Sequence, residues 1–260
     1  MRTASLMSRL MLERRNFLLA TTLAARGVAT TAPALRPGEA SSPDEKTLLF
    51  VRHAEGFHNK GERELPNWNS DSLGLLPKYR DARLTDEGHR QSARLNAELL
   101  ANKTLAPELV VVSTLSRTIQ TAEGAFKDLP GWPTTYLATE LCRERIAAHE
   151  CDHRRMRSEL AEEFRFVDWS GVTDEDDVLW TTRKEILPDE MHADLCIRRG
   201  GDFLTWLRGR PERRIAIVSH WVYMKHLFRA YAADYPELSA NFKNAELRTA
   251  ALYTPGAREL

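Results

Sequence analysis

Three runs of consecutive apolar residues punctuate the chain: Leu48 to Val51, Leu109 to Val112 and Ile215 to Val218. Short runs without polar alternation fit strands buried on both faces, as in a parallel sheet. The first predicts a strand over Lys46 to Arg52, and Thr134 to Leu137 predicts a further short one. Between these runs the period changes. Ala93, Leu95, Leu99 and Leu100 fall near one face of a helix predicted over Asp86 to Leu100, with Thr85 as N-cap. Leu115 to Phe126 predicts a second helix, ended near Pro130-Gly131, and a third follows the last strand through Tyr231.

The order is strand, helix, strand, helix, strand, a polar stretch, then strand and helix. It predicts an α/β fold: a three-layer, doubly wound, mostly parallel sheet with helices on both faces. Two stretches do not fit the alternation. Ala54 to Arg83 is polar, carries Gly56, Gly61, Pro66, Gly74 and Pro77, and predicts a long loop of the kind that is often functional. About 149–210 is too long for a simple connection and predicts a mainly helical, cap-like insertion over the site. Within it, Gly200-Gly201 is expected to break the chain before a packing helix, and Asp174 to Asp177 to form a solvated loop or helix start. Trp68, Trp169, Trp180 and Trp206 are expected in packing or lid roles.

Residues 1–45 stand apart from this pattern, leaving 46–260 as the expected domain. Met1 to Ala40 carries Arg2, Arg9, Arg14, Arg15, Arg26 and Arg36 against Glu13 and Glu39. That composition suits an organelle (mitochondrion or plastid) transit peptide. Arg14-Arg15-Asn16-Phe17-Leu18, followed by apolar residues to Ala32-Pro33-Ala34, also fits a twin-arginine export signal. A disordered tail on a cytoplasmic protein is the third reading. Lys plus Arg balances Asp plus Glu at 37 each, and no basic stripe is interleaved with aromatics, so no nucleic-acid partner is expected. No apolar run suits a bilayer, so no membrane partner is expected either. Cys142, Cys151 and Cys196 are odd in number and suit reduced thiols. His149, Cys151 and His153 have no second pair to complete four ligands, so no metal is expected. Nothing in the pattern specifies an oligomeric state.

Ligands of such folds bind at the carboxyl ends of the strands. Strand one ends in Arg52-His53, strand two runs into Ser113 and a helix carrying Arg117, and the late strand ends in Ser219-His220. Two histidines and two arginines are thus expected on one rim. Phosphoryl transfer needs a nucleophile, donors for the equatorial oxygens and a proton for the leaving oxygen. His53 supplies a neutral imidazole; Arg52, Arg117 and His220 supply donors; several glutamates offer the proton.

These residues resemble the histidine phosphatase superfamily, the phosphoglycerate mutase-like enzymes. Arg52-His53-Ala54-Glu55 with Asn59 is similar to the family's Arg-His-Gly-Glu…Asn signature. Leu84-Thr85 with Gly88, Gln91 and Leu95 resembles its Leu-Thr-x-x-Gly-x-x-Gln helix. Ser113 to Arg117-Thr118, with Gln120-Thr121-Ala122, resembles its Ser-Pro-Leu-x-Arg-Thr-x-Gln-Thr-Ala element, and Val218-Ser219-His220 its Val-Thr-His. The resemblance implies that His53 becomes phosphohistidine and that Arg52, Arg117 and His220 form the phosphate pocket, with Asn59 at its edge. Leu141-Cys142-Arg143-Glu144 resembles the family's Leu-x-x-Glu block, making Glu144 the implied proton donor and Glu140 the alternative.

Ala54 and Thr114 replace a usual glycine and proline. Arg145-Ile146-Ala147-Ala148-His149 and Trp221-Val222 stand where mutases carry Arg-His-Tyr-Gly and Gly-Asn. Both departures point away from glycolytic mutase activity, and the run Glu140 to Arg155, with Cys142, Glu144, His149 and Cys151, resembles a phosphomutase-like phosphatase subgroup of eukaryotic sequences. The expected function is therefore a metal-independent, cofactor-free phosphomonoester hydrolase acting on a small phosphorylated substrate. A mutase-type isomerase and an inactive phospho-ligand-binding module are the alternatives.

Overall fold

The computed structural model describes residues 33–65, 68, 73–102, 106–127, 129, 136–146, 149–183 and 189–254, with the backbone alone for 182–183 and 189–192. One compact unit runs from Leu35 to Tyr253. Seven strands build its sheet: β1 (Ala34–Pro37), β2 (Lys46–Arg52), β3 (Leu109–Ser113), β4 (Tyr136–Thr139), β5 (Val167–Asp168), β6 (Arg214–Ser219) and β7 (Leu247–Tyr253). Their order is β1-β7-β2-β6-β3-β4-β5. Strands β2, β6, β3, β4 and β5 are parallel, and β7 runs antiparallel to β2.

The helices are α1 (Phe57–Glu64), α2 (Asp86–Ala101), α3 (Ser116–Phe126), α4 (Arg157–Glu163), α5 (Val178–Arg183), α6 (Asp189–Gly209), α7 (Trp221–Phe228) and α8 (Pro236–Ser239). The side-chain alternation of β2 explains the three layers. Leu49 and Val51 face a core with Leu95, Leu99, Ile119, Phe126 and Leu160 from α2, α3 and α4. Leu48 and Phe50 face the other core, with Phe203, Leu207, Tyr223 and Phe228 from α6 and α7. Each such fully buried apolar side chain contributes roughly 1.5–3 kcal/mol. Because both faces are covered, β2, β3 and β6 read as unbroken apolar runs.

The sheet is the mostly parallel, doubly wound α/β arrangement that the sequence predicts, with four differences. The stretch from Ala54 to Arg83 is not loop throughout: it holds α1 and 3-10 turns at Leu73–Leu75 and Pro77–Tyr79. Helix α1 has no apolar stripe to reveal it, because its buried face is His58 and Gly61. A Cβ on Gly61 would stand 2.5 Å from the Trp68 ring, so only glycine admits that approach. Residues 34–37, assigned by pattern to the tail, form edge strand β1, and Leu35 is fully buried. Residues 1–32 lie outside the described residues. Helix α6 runs through Gly200-Gly201 without a break and joins the sheet's second core. Gly200 serves close packing, since a Cβ there would meet the Leu227 side chain at 2.8 Å. Asp177 is buried rather than solvated, bound to Arg143 and accepting the Trp180 amide at 3.0 Å to cap α5.

Candidate active site

The parallel strands end together, and the turns after them are tied by side chains that the sequence motifs contain. The Ala54 amide donates to Thr121 Oγ1 at 2.9 Å, and that hydroxyl donates to the Arg117 carbonyl. The Glu55 amide donates to Gln91 Oε1 at 2.8 Å and the Leu84 amide to Gln120 Oε1 at 2.9 Å. Thr85 caps α2 by accepting from the Gly88 amide at 3.1 Å and reaches Glu55 Oε1 at 2.7 Å. Gln91, Thr121 and Thr85 therefore hold the turn after β2 against α2 and α3, and Gln120 ties the segment before α2 to α3. Asn59 works likewise, its side-chain carbonyl accepting the Gly56 amide at the start of α1.

This scaffold fixes His53 just past β2, 2 % exposed. Its Nδ1 lies 2.7 Å from the Ala54 carbonyl. A carbonyl only accepts, so Nδ1 carries the proton and Nε2 keeps its lone pair. Burial, then the nearby Arg117, His58 and Arg52, push the His53 pKa well below the ordinary value, outweighing the Ala54 carbonyl. The imidazole is neutral at neutral pH, as a nucleophile requires.

Two further imidazoles flank it. His220 lies 5.2 Å away between ring centroids, and its Nε2 is 2.7 Å from Ser113 Oγ. His58, on the first turn of α1, lies 5.5 Å away on a tilted ring. Arg117, 1 % exposed, donates to the Cys151 carbonyl and to Asp152 Oδ1, the latter at 2.8 Å. Arg52 donates to the Phe242 carbonyl at 2.7 Å. On each of these four residues one buried nitrogen has no partner among the described residues: Nδ1 of His58 and His220, Nε of Arg52 and Arg117.

The two candidate acids differ sharply. Glu144 is buried, and its Oε1 accepts the Arg145 amide at 2.7 Å and the Tyr223 amide, on the first turn of α7, at 2.8 Å. Burial and the Asp152 charge raise its pKa, against those amides and Arg117. Glu140 is more exposed and bound to two buried arginines, Arg143 at 3.1 Å and Arg154 at 2.8 Å. It belongs to a network with Asp177 that anchors the segment after β4.

His153 stacks on Trp180 at 4.5 Å and bonds Glu150 at 3.0 Å, while His149 packs on Trp68. Among the described residues no group of His, Cys, Asp or Glu is arranged to hold a metal ion, and no helix is long and apolar enough to cross a membrane. The three cysteines are free and buried.

Residues 48–254 match the profile of the Histidine phosphatase superfamily (branch 1). The chain belongs to that superfamily. A protein of Arabidopsis thaliana named "Phosphoglycerate mutase-like protein" is 34% identical over 243 residues, covering 81% of this chain and 86% of that one. "Phosphoglycerate mutase-like protein 1" of the same plant is 32% identical over 236 residues, covering 78% and 80%. The crystal structure of phosphoglycerate mutase from Bacillus anthracis aligns over 81% of this chain and 89% of its own, with a TM-score of 0.51 at 14% identity. The histidine phosphatase fold is thus common to both.

Four of the residues expected at the site, His53, His220, Arg52 and Arg117, are brought to the strand ends, with Glu144 beside α7. Asn59 is engaged at the start of α1. His58 and Asp152 escaped the sequence reading. His58 sits in the polar stretch that predicts a loop, and Asp152 in the insertion, where its link to Arg117 across 35 positions leaves no local pattern.

Proposed function

We propose that this chain is a metal-independent phosphomonoester hydrolase working through a phosphohistidine on His53. One observation carries the reading: the open Nε2 of a neutral His53 is surrounded by residues that each hold a buried nitrogen without a partner. Such groups are costly unless a ligand satisfies them. A tetrahedral oxyanion, rich in lone pairs, accepts from both guanidinium Nε–H groups and from each imidazole nitrogen that carries its proton.

In the first step His53 Nε2 bonds to phosphorus as the bond to the leaving oxygen breaks. Glu144, its pKa raised by burial and Asp152, delivers its proton to that oxygen. Arg52, Arg117 and His220 stabilise the charge on the equatorial oxygens. In the second step water attacks phosphorus, the P–N bond breaks, and the Glu144 carboxylate takes the water's proton. Orthophosphate leaves and both residues return to their starting states.

The test is labelling with a 32P phosphomonoester in the presence of a chelator, quenched in alkaline denaturant, where phosphohistidine survives. Wild type is expected to carry label and release orthophosphate, and His53→Ala to do neither. Undiminished labelling of His53→Ala would overturn the nucleophile. Return of label to a phosphorylated product rather than to orthophosphate would make the protein a mutase.

A further inference from the structure

We propose that His58 is a further catalytic residue, donating a hydrogen bond to the phosphoryl group while His53 carries it. The proposal rests on the phosphohistidine reading above. His58 and His220 flank His53 at nearly equal distances, 5.5 and 5.2 Å between ring centroids. His220 is committed through Nε2 to Ser113. His58 has a buried Nδ1 with no partner among the described residues. A polar ring in that condition is a poor packing element: an apolar side chain of its size would lose nothing to desolvation.

The ring is nevertheless held in place. A Cβ built on Gly56 would stand 2.8 Å from His58 Nδ1 and 2.9 Å from Cε1, so it is the lack of a side chain at Gly56 that leaves the Nδ1 side of the imidazole uncovered. His53 stands on another side. The Asn59 side chain pins the first turn of α1, on which His58 sits. Preorganisation of this kind is what a transition-state donor needs.

The chemistry restricts the role. Burial, then Arg117, Arg52 and His149, push the His58 pKa well below the ordinary value, so the ring is neutral. A neutral imidazole offers one N–H and one lone pair. It therefore serves as a hydrogen-bond donor and not as a second cation or acid. No bond is made or broken at His58: its N–H contacts an equatorial oxygen in both steps, and the proton stays on the ring.

His58→Phe keeps a ring and removes the donor; His58→Asn keeps an N–H donor. In His58→Phe, kcat/KM is expected to fall at least tenfold, toward the hundredfold seen on removing an oxyanion donor. Vanadate, as the oxyanion probe, should inhibit at correspondingly higher concentration, with little change in melting temperature. His58→Asn should recover a substantial part of both. A packing role would move the melting temperature and leave vanadate inhibition alone. Should His58→Phe not fold, His58→Ala decides on the same two readouts. Wild-type kcat/KM and vanadate inhibition in the donorless variant would overturn the proposal. Absence of label from wild type would instead remove the phosphohistidine itself, so the two failures are told apart.

Discussion

The Arg117 guanidinium meets the Asp152 carboxylate at 2.8 Å with both groups buried, so the cation expected to bind phosphate already has a counter-ion. Together with the Cys151 carbonyl, Asp152 holds the terminal nitrogens of the fork, leaving Nε as the donor without a partner. Asp152 also raises the Glu144 pKa, second only to burial. One carboxylate thus holds the Arg117 guanidinium and raises the pKa of Glu144.

That coupling predicts a shift in the pH profile of Asp152→Asn. For an alkyl phosphate, the alkaline limb of kcat/KM reports the group that must be protonated. Removing a negative charge makes ionisation of Glu144 easier, so its pKa falls and the limb moves to lower pH. The measurement is kcat/KM against pH for wild type and variant. A limb that stays in place separates Asp152 from the titration of Glu144.

The buried pair of Arg143 and Asp177 predicts a stability effect. Burial alone would raise the Asp177 pKa, but Arg143 and the Arg154 and Trp180 amides outweigh it and lower it. Asp177→Ala removes the buried carboxylate facing Arg143 and leaves it only the more exposed Glu140 as a counter-charge, which costs up to about 3–5 kcal/mol, or on the order of 10 °C in Tm for a domain of this size. The sign with pH follows from the lowered pKa. The contribution is present above the ordinary aspartate value and is lost as pH falls through the folded value. Calorimetry should therefore show the gap between wild type and variant narrowing on acidification.

The alternation of apolar runs and the strand-end residues were legible because each is a local pattern. Strands β2, β3 and β6 are covered on both faces, and His53, Arg117 and His220 follow directly from where strands stop. What escaped depends on distant partners. Strand β7 carries Arg248 and Thr249 among its apolar residues and is recognisable only by pairing with β2. Glu140 and Glu144 are equally acidic in sequence. They separate only because one meets Arg143 and Arg154 and the other meets the amides of α7. The motif glutamines and threonines proved to be ties within the scaffold, a role that no spacing reveals.

Strand β1 predicts that truncation has a sharp limit. Arg36 pairs with Glu45 at 2.6 Å. Burial works against that carboxyl, yet the Ser41 amide and hydroxyl and Arg36 hold its pKa at about 2. A chain beginning after residue 44 lacks Leu35 and Arg36, whereas one beginning after residue 32 keeps both. Losing Leu35 alone removes roughly 1.5–3 kcal/mol of burial. Thermal melts of the two should differ by several degrees or more, the longer chain being the more stable. Equal melting temperatures would show that β1 adds nothing to the domain.

Glu144 and Glu140 are separated by a leaving-group test that their surroundings now sharpen. An alkoxide needs a proton in the transition state, while an acidic phenol needs it far less. Glu144→Gln should therefore slow an alkyl phosphate by about 10²–10⁴-fold and an aryl phosphate much less. Its melting temperature should stay close to wild type, because glutamine can still accept the Tyr223 and Arg145 amides. Glu140→Gln removes the charge facing Arg143 and Arg154, so it should lower the melting temperature and depress both substrates together. The decisive quantity is the ratio of alkyl to aryl kcat/KM in each variant, since misfolding cancels from it. A ratio that collapses in Glu140→Gln and holds in Glu144→Gln would move the acid four residues upstream, to a carboxylate already bound by two arginines.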